Sequence, residues 1–82
     1  MMPDTKPGNY YVTVIDGRKT GILAGPFPND HATALGLVDR ARTVACELNP
    51  RAHFYSFGTA RFPSDFTTPG VLNKELGLAV AA

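Results

Sequence analysis

The chain has 82 residues, 44% of them hydrophobic and 18% charged, with a formal net charge of +1. That composition suits one small folded domain, excludes a long disordered chain and does not demand a nucleic-acid partner. No apolar run reaches the ~18–20 residues of a membrane span and no basic stretch precedes an apolar core, so neither a membrane association nor a secretory leader is expected.

Residues 1–9 hold prolines, a glycine and polar neighbours without periodicity, and read as a flexible lead-in to a single domain over 10–77. Tyr10 to Ile15 is all aromatic or β-branched and predicts a strand with apolar residues on both faces, as in a sheet centre. Asp16-Gly17 then supplies a tight reversal, and Thr20 to Ala24 returns as a second strand. Gly21 and Gly25 weaken that strand and suit it to an edge.

Gly25-Pro26-Phe27-Pro28 breaks the pattern, and Asn29 or Asp30 can cap a helix behind it. Ala34, Val38, Ala41, Ala45 and Leu48 repeat at helical spacing, widened by Leu37 and Val44. They predict one amphipathic helix over about Asp30 to Leu48. Asn49-Pro50 stops it. Ala52 to Phe57 reads as a third strand closed by Gly58, and Phe62-Pro63 opens irregular chain. Thr68-Pro69-Gly70 begins a short C-terminal helix over Val71 to Leu76, followed by an apolar tail, 78–82.

The order ββαβ predicts an α+β fold. Its three-stranded sheet carries one amphipathic helix on one face, with the short C-terminal helix as the only cover for the other. A glycine-poor first strand makes the better centre, which gives the strand order 2-1-3; 1-2-3 is the alternative. Parity sends Val12 and Val14 towards the helix and Tyr11, Thr13 and Ile15 to the other face. Tyr10, Tyr11, Phe54, Tyr55 and Phe57 all fall on the two neighbouring strands, more rings than one helix shelters. Such a surplus predicts a binding surface, including one for a second copy of the chain.

Groups capable of chemistry are scattered. Cys46 is the single cysteine, which excludes an internal disulfide and four-cysteine zinc frameworks. Arg42 lies one turn before it, but no histidine has a fixed sequence relation to the thiol. His31 and His53 lack partners at metal-ligand spacing, and the carboxylates are spread over turns, caps and a solvated helix face. No nucleophile elbow or phosphate loop appears. We therefore expect no enzyme, no metal and no cofactor. Arg40, Arg42, Arg51 and Arg61 oppose only Glu47 between positions 40 and 61. Aromatics interleaved with them make a small nucleic-acid-binding or regulatory protein the alternative reading.

The blocks from Tyr10 to Gly17, Gly25 to Phe27, Asn49 to Ala60 and Pro69 to Asn73 resemble, in this order, small uncharacterised proteins of tailed bacteriophages and mobile elements of proteobacteria. The resemblance spans most of residues 10–77. It implies an accessory protein of the host bacterial cytoplasm that binds a host or phage protein, in some cases inhibiting a host or defence protein, and brings no catalytic residue. The expected binding residues are Tyr11, Tyr55 and Phe57 as anchors with Arg51 and Arg61 at the rim, on the aromatic sheet face or a strand edge of a homodimer.

Overall fold

The computed structural model describes residue 3 and residues 5–78. Two strands, β1 (Asn9–Asp16) and β2 (Lys19–Pro28), lead into two consecutive helices, α1 (His31–Gly36) and α2 (Val38–Leu48). A 3-10 segment (Pro50–Phe54) then delivers β3 (Ser56–Phe62). The sheet has the expected order β2-β1-β3, and β1 runs antiparallel to both neighbours.

β1 is central because its side chains are useful on both faces. Tyr10 and Val12 enter the helix-side core with Ala24, Ala34 and Ala41, and Val14 packs against it. Tyr11 and Thr13 are buried on the other side, as parity predicts. The register of β1 with β3 is unbroken from Asn9–Phe62 to Ile15–Ser56. With β2 it shifts on either side of Val12. These bulges leave β2 carbonyls for another partner: Gly70, Val71 and Leu72 donate backbone N–H groups to Gly25, Ile22 and Leu23 at 3.1, 3.1 and 2.8 Å. Leu72 and Leu76 thereby enter the core. The expected C-terminal helix takes the form of successive turns over residues 71–77, with one helical bond from the Leu76 N–H to the Leu72 carbonyl at 2.9 Å.

The main helix is broken once, at Leu37. Its start is set by Asp30, whose carboxylate accepts from the Thr33 N–H at 3.1 Å and hydroxyl at 2.6 Å. Those bonds hold the carboxyl below its ordinary value. Asn29, in the left-handed region at φ 54°, turns the chain into this cap. Its N–H and side-chain oxygen bond the carbonyl and N–H of Gly8 at 2.7 and 2.9 Å. Tyr10 Oη donates to the Lys6 carbonyl at 2.6 Å, so the expected lead-in is tied down from Lys6 onward. The expected tail lies outside the described residues beyond Leu78.

The third strand begins four residues later than its composition predicts. Asn49 Oδ1 accepts from the Arg51 N–H at 3.1 Å, and Pro50 occupies the first turn with its fixed φ. The Ala52 N–H then bonds the Asn49 carbonyl at 2.9 Å and the Tyr55 N–H bonds the Ala52 carbonyl at 3.1 Å. This closed 3-10 turn overrides the strand preference of His53 and Phe54.

Candidate docking surface

The ring surplus is largely absorbed by the chain itself. Phe62 and Phe66 stack at 4.6 Å, and both meet the Tyr11 ring edge-on at 5.2 and 5.5 Å. Asn9, buried at the start of β1, holds this cover in place by donating its amide to the Ser64 and Phe66 carbonyls at 3.2 and 2.7 Å. Tyr11 is consequently 0% exposed, which corrects its expected role as a surface anchor. The hidden signal was the pair Phe62 and Phe66: Phe62 ends β3, beyond the expected close of the third strand at Gly58, and Phe66 lies in the irregular chain that follows.

Burial also raises the Tyr11 phenol above its ordinary 10.0. The folded state therefore holds that proton more tightly than the unfolded chain does. Its contribution is complete below pH 10.0 and is lost as the pH climbs through the raised value. We expect Tyr11→Phe to remove this part of the alkaline stability loss, as read by denaturant titrations across alkaline pH. An identical alkaline decline in both proteins would contradict it.

The other expected binding residues do not form one patch. Phe57 faces the helices, half-buried, with the Arg42 guanidinium 5.4 Å above its ring. Arg61 is exposed at the far end of β3, where Nη1 donates to the Pro7 carbonyl at 3.2 Å. Tyr55 lies just before the opposite end of β3, roughly 20 Å from Arg61 along the strand, and Arg51 lies on the 3-10 segment that precedes it. They belong to the end of the molecule built by the β1–β2 hairpin, the last turn of α2 and the 3-10 segment.

That end contains an apolar groove of about 190 Å³. Val14 and Leu23 from the sheet, Ala45 and Leu48 from α2, Tyr55, and Leu72 from the C-terminal turns form its walls. Asn49 supplies a polar edge, its amide reaching Tyr55 Oη at 3.5 Å. The volume falls below the ~300 Å³ at which small-molecule sites begin and suits one inserted side chain. Leu48, which belongs to the apolar helical stripe, is 61% exposed here, and Phe54 on the adjoining 3-10 segment is 90% exposed. Helical periodicity hid Leu48 by assigning it to the core, whereas Phe54 was counted among the surplus rings but placed on a strand and not among the anchors.

A second, shallower cleft of about 360 Å³ joins Arg42, Thr43, Cys46, Glu47 and His53 on the outer side of α2. Cys46 and His53, unrelated in sequence, thus share one surface. Among the described residues no three His, Cys, Asp or Glu side chains cluster in a way that could hold a metal ion. Among the same residues, no helix is long and apolar enough to cross a membrane. Comparison with protein families, curated proteins and solved structures finds no match.

Proposed function

We propose that the chain is a non-enzymatic phage or mobile-element accessory protein that binds a host or phage protein in the bacterial cytoplasm through its hairpin end. One observation carries this reading: exposed Leu48 lines an apolar groove that the described residues leave unfilled, and exposed Phe54 is the sequence neighbour of its lining residue Tyr55. Tyr55 lines that groove as a ring with a polar tip, a residue type enriched at binding surfaces. Arg51 is exposed on the same 3-10 segment, and the surrounding sequence carries more positive than negative charge. The complementary partner offers an apolar side chain to the groove and acidic groups to its rim. Occupying such a surface on a host or defence protein is how the chain acts as an inhibitor. The phage or mobile-element origin rests on the resemblance of the four sequence blocks.

The test is affinity capture from bacterial lysate after nuclease treatment, comparing the unmodified protein with Leu48→Asp and Arg51→Glu. We expect a nuclease-resistant protein partner whose retention falls at least about tenfold for Leu48→Asp. For Arg51→Glu we expect a smaller, salt-dependent loss. Because both side chains are exposed, the variants should keep their fold. Equal retention by all three proteins would overturn the assignment. Loss of all binding on nuclease treatment would instead favour the nucleic-acid alternative.

A further inference from the structure

A three-stranded sheet has two edges, and this chain treats them differently. On β2, the carbonyls left free by the bulges are taken by Gly70 to Leu72, and Asn73 bonds both backbone groups of Gly25 through its side chain. On β3, among the described residues, no backbone other than that of β1 bonds Ser56–Phe62. Exposed edges are usually blunted by lysine, proline or a bulge. Within its seven residues β3 has none of these, and its register with β1 is unbroken. Arg61 is its one charge.

We propose that this edge pairs with β3 of a second copy, antiparallel and centred on Thr59, to make a continuous six-stranded sheet. The pairing is isologous, so each contact occurs twice. Thr59 opposes its own copy, Gly58 opposes the partner copy's residue 60, and Phe57 opposes residue 61. Charge selects this register. The two Arg61 side chains stand four residue spacings apart, about 14 Å at ~3.4 Å per residue, beyond the ~8 Å screening length of physiological salt. Each Arg61 instead lies opposite the uncharged residue 57 of the other copy. Sliding the strands to centre nearer Arg61 brings like charges together. On the face away from the helices, Ser56, Gly58 and Ala60 are too small to obstruct the partner. One strand per copy makes a small contact, below the ~1,200 Å² of standard interfaces, so the dimer is reversible and depends on concentration.

Sedimentation across a concentration series tests the association, and disulfide trapping tests its register. In a Cys46→Ser background, Thr59→Cys should cross-link readily. Directly opposed residues lie ~4.5–5.5 Å apart at Cα, within the ~4.4–6.8 Å a disulfide accepts. Gly58→Cys, offset from its own copy, should not cross-link. Gly58→Lys, placed where an added Cβ meets nothing within 4 Å, should weaken the dimer at least about tenfold while leaving the fold unchanged. A strict monomer up to about millimolar concentration, or equal cross-linking at 58 and 59, would overturn the pairing. Docking at the hairpin end uses other residues, so lysate capture by the monomeric Gly58→Lys protein separates failure of the pairing from failure of the proposed function.

Discussion

Truncation of Tyr11 to alanine should cost about 3–5 kcal/mol of stability, the range for removing a large buried ring. The Tyr11 ring is fully enclosed between Phe62, Phe66 and the backbone at Gly25, where an added Cβ would lie 2.7 Å from the tyrosine ring. A domain of this size has roughly 4–12 kcal/mol in total, so the variant sits near its unfolding threshold. Tyr11→Phe keeps the ring and loses only the 3.3 Å bond to the Phe66 carbonyl, at a cost of about 1 kcal/mol. Phe54→Ala should remain within about 0.5 kcal/mol of the unmodified protein. Urea denaturation of the three variants checks this order. A Tyr11→Ala protein as stable as Phe54→Ala would mean that the ring is not enclosed.

Loss of Asn73 should have a comparable effect through a different mechanism. Its side chain is 3% exposed and accepts from the Gly25 N–H at 2.9 Å while donating to the Gly25 carbonyl. Asn73→Ala leaves the buried N–H without a partner, although the carbonyl keeps the Gly70 N–H at 3.1 Å. One orphaned buried donor and one lost bond together cost about 2–4 kcal/mol. Asn73→Asp separates geometry from charge. An ionised carboxyl accepts from the Gly25 N–H but repels the carbonyl, whereas a protonated one can serve both. Burial raises the pKa of the introduced group, so this variant should lose stability as the pH rises through its unfolded and then its folded value. Denaturation at several pH values reads that slope, and a variant indifferent to pH would contradict the clasp.

The strand order was legible because β1 carries large residues on both faces while β2 carries Gly21 and Gly25. The helix stop was legible at Asn49-Pro50. The same two residues defeated the reading beyond them, because an asparagine acceptor followed by proline closes a 3-10 turn against the strand preference of His53 and Phe54. The cover over Tyr11 was illegible for another reason. It comes from Phe62, the last residue of β3, and Phe66 in the irregular chain behind it, both more than fifty positions away in sequence. Of the expected binding residues, Tyr55 does line the groove. Leu48 escaped notice because helical spacing specifies a face but not where the neighbouring surface ends.

The division between enclosed rings and an exposed hairpin end is most directly read by ring-resolved NMR with a soluble paramagnetic probe. We expect the Phe54 ring signals to broaden most, the Leu48 methyls to follow, and the Tyr10 and Tyr11 rings to stay sharp. Broadening of Tyr11 equal to that of Phe54 would place the open surface on the sheet face instead, and would contradict docking through the hairpin end.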